Sequence, residues 1–144
     1  MFFKKDNNKG QNKSLTKVAA LLIHAARIDQ SYSKHEEEII KKTLLNLGAS
    51  DENIKIIIED GKKIETNSNQ ILEFTKEVKN MDNEEKLKII ESLWRIIYSN
   101  QEADIYETNL MRRLAGLLYI DSKTMGDIKN KIKKEFHDDI YSKW

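Results

Sequence analysis

The chain has 144 residues, enough for one domain that buries a sizeable core without covalent cross-links. It contains no cysteine, which excludes disulfides, thiolate zinc sites and cysteine nucleophiles. It also contains no proline and only five glycines, and this composition favours long helices over turn-rich β structure. With 25 basic against 24 acidic residues, the net charge of +1 gives no general attraction to nucleic acid or acidic membranes.

The N-terminal residues, MFFKKDNNKGQNK, have neither the apolar core nor the cleavage site of a signal peptide. No apolar run in the sequence is long enough to span a bilayer. We therefore expect a cytoplasmic protein without a transmembrane segment. Residues 1–13 are polar and rich in Asn and Lys, so they are predicted to be a flexible tail, and residues 14–144 are predicted to be a single domain.

The predicted elements are all helices, because apolar residues recur at helical spacing and no alternating strand pattern is of useful length. Ser14 is predicted to cap the first helix, LTKVAALLIHAARI, which is apolar over most of its circumference. Ser33 and Glu36 form a capping pair that opens the second helix, and Gly48 is predicted to end it.

Capping residues also predict the starts of the next three helices. Ser50 is predicted to cap the third helix, Asn67 with Gln70 the fourth, and Asp82 with Glu85 the fifth. The fifth helix is predicted to be the longest and the most central, because it carries the largest apolar side chains at inward spacing. These are Leu87, Ile90, Leu93, Trp94 and Ile97.

The last two helices complete an all-α fold, a compact bundle of about seven helices. Asp104 with Glu107 is predicted to open the sixth helix, and the seventh is predicted to run from near Asp121 toward Phe136.

Two windows of the sequence share one arrangement. In each, an apolar helix ends in a polar residue, Asp29 or Asn100, and a capping pair follows. The intervals from Asp29 to Glu36 and from Asn100 to Glu107 are equal, and similar apolar runs follow both. The pattern predicts an internal repeat of a helix–loop–helix unit, and we expect the two copies, residues 18–48 and 89–119, to be related by a near-twofold rotation.

At these windows the sequence resembles the TerB family of tellurite-resistance-like proteins. The first window, ARIDQSYSKHEEE, matches the family pattern through Ala26, Asp29 and Glu36. The second window matches it more fully, and the intervening LEFTKEVKNMDNEEKLKIIESLW resembles the family's linking helix pair. The matching positions of the second window are Leu93, Trp94, Tyr98, Glu102, Asp104, Tyr106, Glu107, Leu110, Arg112, Arg113, Ala115, Leu117 and Leu118.

The chain departs from the family pattern in both loops. Gln30 and Gln101 stand where the family has glycine, and Asn100 stands where it has aspartate. The resemblance implies a compact helical domain with acidic residues in both loops, for which divalent-metal binding has often been proposed.

Other patterns that can indicate a catalytic or ligand-binding site are incomplete in this sequence. HEEEII at His35 lacks the second histidine of a zinc-protease motif, because Ile39 occupies that position. His24 lies in an apolar helix and is more simply a core histidine than a ligand. There is no glycine-rich phosphate loop and no supported Ser-His-Asp arrangement, so we predict no catalytic residues and no enzyme.

The acids of the two loops have two interpretations. Capping alone accounts for Glu36 and Glu107, but Asp29 faces the negative end of its helix and needs another explanation. It either caps the next helix or contributes to a hard-cation site for Ca²⁺, Mg²⁺ or Mn²⁺, with water completing the shell. The loops do not complete an EF-hand. The predicted metal ligands are Asp29, Ser31, Glu36, Asn100, Glu102, Asp104 and Glu107.

The function expected from these observations is that of a TerB-like, non-enzymatic binding or scaffold domain. The resemblance implies a place in a stress- or envelope-associated protein complex with an unidentified protein partner. The balanced charge predicts no nucleic-acid partner, and association with a membrane is expected only through a partner. A divalent cation in the acidic loops is carried as a second hypothesis. The alternative is a hydrolase that uses the loop carboxylates on a metal-bound water.

Overall fold

The structure is a computed structural model that describes residues 2–28, 32–67, 71–99 and 105–142, with side chains described for 12–28, 32–67, 71–99 and 108–136. Within these ranges the chain forms seven α-helices and no strand, which confirms the predicted fold class. The helices are α1 (Phe2–Arg27), α2 (Lys34–Asn46), α3 (Ile54–Asn67), α4 (Leu72–Lys79), α5 (Asn83–Tyr98), α6 (Ile105–Leu117) and α7 (Ser122–Ser142). None of these described helices is long and apolar enough to cross a membrane.

The first helix starts earlier than its capping signal predicts. α1 begins at Phe2, so Ser14 lies inside the helix and the predicted start is wrong. Asn, Lys and Gln are all tolerated in helices and no proline interrupts this segment, so nothing in the sequence stops the helix from extending. The side chain of Asn12 accepts a hydrogen bond of 3.1 Å from Asn53 before α3. The flexibility of residues 1–13 stays a prediction.

Three of the predicted capping sites are confirmed. Ser33 is the N-cap of α2, and Gly48, with a φ of 117°, follows its C-cap. Ahead of α3, Ser50 accepts a hydrogen bond from the backbone N–H of Asn53 at 3.2 Å. Asp82 is the N-cap of α5 and accepts from the N–H of Glu85 at 2.9 Å. Short polar side chains at these positions therefore set the start of each helix.

The predicted start of α4 is wrong. Asn67 is the last residue of α3, and Gln70 lies outside the described residues. α4 begins at Leu72 after Ile71, whose side chain makes no capping hydrogen bond. The end of α3 stays attached to α1, because Arg27 binds Glu65 and Thr66 in its last turn.

The core is organised around α1 and α5 together. α1 packs against α2, α3, α4 and α5, while α5 packs against α1, α2 and α7. The predicted central position of α5 therefore holds, but α5, with 16 residues, is shorter than α1, with 26, so it is not the longest helix. Trp94 is 2% exposed and its indole N–H lies 3.3 Å from the sulfur of Met125 in α7.

A close contact fixes the packing of α3 on α1. Gly61 is buried, and a Cβ built there would lie 2.9 Å from the Cβ of Ala19 and 3.3 Å from the backbone nitrogen of Ala20. Since real Cβ atoms do not approach so closely, only glycine permits this spacing of the two backbones. Contacts at both ends, Asn12 with Asn53 and Arg27 with Thr66, show that the two helices run in the same direction.

The two proposed copies end their second helix in the same way. Gly48 after α2 and Tyr119 after α6 both have positive φ, at 117° and 56°. The following N–H groups, of Ala49 and Ile120, each bond to the carbonyl five residues earlier, at 3.0 and 2.9 Å. This pairing is typical of a Schellman motif.

The correspondence extends into the third helix of each copy. Asp121 accepts from the N–H of Thr124 at 2.6 Å, as Ser50 accepts from that of Asn53. α3 packs on α1, and α7 packs on α5. The matched features therefore reach into α3 and α7, while the internal repeat itself and the near-twofold relation between the copies stay predictions.

Candidate functional site

The first inter-helix loop is described only at its flanks. Asp29 and Ser31 lie outside the described residues, so the predicted proximity of Asp29 to Glu36 stays a prediction. Glu36 itself lies in the first turn of α2 and is 1% exposed. A carboxylate with so little exposure is stabilised only if hydrogen bonds replace its lost hydration.

Glu36 and Ser33 form a complete capping box. The Glu36 carboxylate accepts a hydrogen bond from the N–H of Ser33 at 2.9 Å, and the Ser33 hydroxyl accepts one from the N–H of Glu36 at 3.1 Å. The box satisfies two backbone donors at the start of α2 and places a negative charge at the positive end of the helix. The capping interpretation of Glu36 is therefore confirmed, and the geometry of this box requires no metal.

Tyr32 closes the C-terminal flank of the same loop. Its ring lies 5.3 Å from the ammonium of Lys62 and 5.8 Å from the guanidinium of Arg27. Its hydroxyl lies 3.5 Å from a carboxylate oxygen of Glu37, which in turn lies 3.0 Å from Lys62. Burial, and then the nearby Glu37 carboxylate, raise the pKa of Tyr32 well above its usual range. The side chain is therefore a neutral phenol whose ring lies near two cations.

Ion pairs fasten the N-terminal flank of the loop to α3. Arg27 binds the carboxylate of Glu65 and donates to the hydroxyl of Thr66 at 3.0 Å. His24 lies 3.4 Å from the other oxygen of Glu65. His24 is thus half-buried and paired, not a fully buried core residue. Because Lys62, Glu65 and Thr66 all belong to α3, both flanks of the loop are attached to the same helix.

Most of the second loop lies outside the described residues. Asn100, Glu102 and Asp104 lie outside the described residues, and Glu107 belongs to α6 with its side chain outside them. Among the residues whose side chains are described, no three His, Asp or Glu groups lie close enough together to hold a metal ion. Of the predicted ligands the structure therefore places only Glu36, and it places it in a cap. The predicted ligand set as a whole stays a prediction.

A surface groove on the other side of α2 is the feature that sequence analysis missed. Its volume is about 880 Å³, and it lies between α2 and α5, with Glu135 of α7 at one end. Thr43 and Ser92 form its floor, and their hydroxyl oxygens lie 2.6 Å apart. We call this feature the α2–α5 groove. Its lining residues are His35, Glu38, Ile39, Lys41, Lys42, Thr43, Leu45, Asn46, Lys88, Glu91, Ser92, Arg95 and Glu135.

Two small polar residues on buried helix faces are the sequence signal for this groove. Thr43 and Ser92 are 6% and 3% exposed and interrupt otherwise apolar faces of α2 and α5. Each hydroxyl also lies within hydrogen-bond distance of a carbonyl in its own helix, Ile39 at 2.8 Å and Lys88 at 3.0 Å. Small side chains at a helix contact leave room above them, and here that room is the α2–α5 groove.

Within the described residues, these observations define a small all-α domain with a capped start of α2 and a surface groove between α2 and α5. A family model described as tellurite resistance protein TerB matches residues 15–130. The chain therefore belongs to the TerB family, as the resemblance indicated. No curated protein and no solved structure gave a significant match.

Proposed function

We propose that this domain is a non-enzymatic binding module of the TerB family that holds a protein partner. The α2–α5 groove is the observation that carries the proposal, because it is a concave surface whose α2 lining spans about three helical turns, a length that can hold a helical segment of a partner. The family name supports a role in a stress-associated complex. A cytoplasmic location is part of the same proposal.

The chemistry of the groove favours binding over catalysis. Ser92 is the serine of the groove lining that could be considered as a nucleophile. Its hydroxyl lies within hydrogen-bond distance of the Thr43 hydroxyl and the carbonyl of Lys88. Activation of a serine needs a base within hydrogen-bond reach, and neither of these partners is a base. The groove acids Glu91 and Glu135 are likewise bound to cations, Lys131 and Arg95.

The proposal is tested by co-purification of the full chain from the native cell under mild cross-linking. We expect a partner to be retained in constant proportion to the chain after size-exclusion chromatography. A matched set of hydrolysis assays on phosphoester and peptide substrates, with Mg²⁺, Mn²⁺ or Ca²⁺, should give no turnover above background. Metal-dependent turnover that Glu36→Gln abolishes would replace the proposal with the hydrolase alternative.

A weak divalent-cation site in the first loop is retained as a second part of the proposal. Its support is the burial of Glu36 directly beside the loop that contains Asp29. The carboxylate of Glu36 accepts a hydrogen bond from the Ser33 N–H, and carboxylate oxygens are the kind of ligand that hard cations prefer. Such a cation would stabilise the loop or the partner-binding state and has no catalytic role in this proposal.

A further inference from the structure

We infer that the α2–α5 groove binds an acidic amphipathic helix of the protein partner, an inference that rests on the proposed function and names the chemistry of the ligand. The groove is a trough between two helices. On α2 its lining runs from His35 to Asn46, which at about 1.5 Å per residue is a length of roughly 16 Å, or three helical turns. This is the length over which a helix lies in a groove and makes anchor contacts.

Two apolar side chains of α2 contribute to the lining of the groove. Ile39 and Leu45 of α2 are partly buried and pack against the core while still lining the groove. The floor hydroxyls of Thr43 and Ser92 are close enough to bond each other, and no described buried side-chain polar atom lacks a partner. The floor therefore does not require a polar ligand. It suits an apolar helix face, for which small floor residues permit close approach.

The ion pairs of the rim leave an excess of positive charge. Glu91 lies 3.0 Å from Lys131 and 3.7 Å from Arg95, and Arg95 also makes two contacts of 3.2 Å with Glu135. Lys131 lies just outside the groove on α7, so these acids are neutralised by cations of the protein itself.

The remaining charged residues of the rim are three lysines and one glutamate. Lys41, Lys42 and Lys88 are exposed and make no ion pair with any described residue, and Glu38 is the acid that remains. Charge complementarity therefore selects an acidic partner. A nucleic-acid backbone or an anionic membrane surface fits less well, because neither presents a narrow apolar face to Ile39 and Leu45 along the trough.

The inference is tested with a fluorescein-labelled synthetic peptide of about five helical turns. The peptide carries leucine at i, i+3, i+4 and i+7 and glutamate on its opposite face. Its controls are a sequence-scrambled peptide and a peptide with lysine in place of glutamate. Fluorescence anisotropy with the full chain should show saturable binding of the acidic amphipathic peptide only, weakened by added salt.

Charge reversal locates the binding surface. The variant K41E/K42E/K88E should lower the affinity at least about tenfold, because it replaces attraction with repulsion on both rims. The control variant K55E/K63E/K76E reverses three lysines that are also exposed but lie outside the groove, and it should change the affinity by less than about twofold. Circular dichroism checks that both variants stay folded. NMR amide shifts caused by the peptide should lie on α2 and α5.

Three results would overturn the inference. They are the absence of saturable binding, an equal loss in both triple variants, and self-association of the wild type that K41E/K42E/K88E abolishes in sedimentation velocity. The last would identify a second copy of the chain as the occupant. The proposed function fails separately. If K41E/K42E/K88E still retains the native partner, the domain is a binding module whose binding surface lies outside the groove. If the peptide binds but no native partner is found, the assignment of the groove remains and the proposed function does not.

Discussion

Ser33 and Glu36 exchange two hydrogen bonds at the start of α2, and this exchange buries the Glu36 side chain beside the first loop. The loss of the Ser33 hydroxyl would leave the N–H of Glu36 without its acceptor. We expect Ser33→Ala to lower the free energy of unfolding by about 1 kcal/mol, measured by urea denaturation.

The control for this prediction is Ser122→Ala. Ser122 is exposed in the first turn of α7, where Asp121 accepts the capping hydrogen bond. This variant should change stability by less than about 0.5 kcal/mol. An equal effect of both substitutions would mean that the capping box contributes nothing specific to α2.

The fold was largely predictable from the sequence because capping residues and apolar spacing are local signals. Ser33 and Asp82 start their helices as predicted, and Gly48 follows the end of α2. The prediction from the sequence was wrong where a capping residue is also compatible with the interior of a helix. Ser14 is a good N-cap, but it is also tolerated inside a helix, and only the absence of a helix breaker before it determined where α1 begins.

The candidate site was less predictable, for a different physical reason. The capping box of Glu36 follows from two residues three positions apart, so the sequence contains it. The α2–α5 groove depends on a contact between Thr43 and Ser92, which are 49 positions apart, and no local pattern encodes that distance. The contact of the Tyr32 ring with Lys62 of α3 is likewise tertiary, whereas Arg27 is close to Tyr32 in the sequence.

Gly61 gives a prediction that opposes helix propensity. An alanine in the middle of α3 would normally stabilise the helix, but its Cβ would lie 2.9 Å from that of Ala19. Relief requires α3 to move away from α1, so we expect Gly61→Ala to destabilise the protein by about 1–3 kcal/mol in urea denaturation.

The matched controls are Gly116→Ala in α6 and Gly126→Ala in α7. No atom lies within 4 Å of a Cβ built at either position. Both variants should therefore stabilise the protein by about 0.5–1 kcal/mol, because alanine restricts the unfolded chain and favours the helix. A stabilising effect of Gly61→Ala as well would show that α3 does not pack closely on α1 at this residue.

Trp94 is the main side chain at the α5–α7 contact. It is 2% exposed, stacks on Tyr98 with ring centroids 5.9 Å apart, and lies below the ammonium of Lys129. We expect Trp94→Ala to cost about 3–5 kcal/mol in chemical denaturation, because it leaves a large cavity. A cost below about 1 kcal/mol would mean that the ring is exposed in solution and belongs to a binding surface instead.

The phenol of Tyr32 should make stability fall at alkaline pH. Burial and the Glu37 carboxylate raise its pKa above the ordinary value of 10.0, so the fold favours the neutral phenol. Its contribution to stability is complete below the pKa of the unfolded chain and is lost as pH rises through the pKa of the folded protein. In a spectrophotometric titration of phenolate, Tyr32→Phe should remove a late-titrating step and reduce the alkaline loss of stability.

Tyr98 is the second late-titrating phenol, because burial raises its pKa too, and its step should remain in Tyr32→Phe. Tyr119→Phe is the control, since this ring is 76% exposed. If Tyr32→Phe instead removes a step at the ordinary tyrosine pKa, the contacts of Tyr32 with Arg27 and Lys62 open in solution.

The last prediction concerns the first loop, where Asp29 precedes the buried Glu36. If the two carboxylates share a hard cation, millimolar Ca²⁺, Mg²⁺ or Mn²⁺ should raise the melting temperature, and an ion at ten times its Kd would add about 1.4 kcal/mol. Glu36→Gln separates this effect from capping, because a capping box accepts glutamine while the cation loses a charged ligand. We expect Asp29→Asn and Glu36→Gln to abolish the ion-dependent shift, measured by calorimetric titration and thermal melts, with little loss of stability without ions. Zn²⁺ should have no advantage over the other ions, since the ligands are oxygens. A wild type that shows neither heat nor a change in melting temperature would leave the Ser33–Glu36 box as the full explanation of the buried acid.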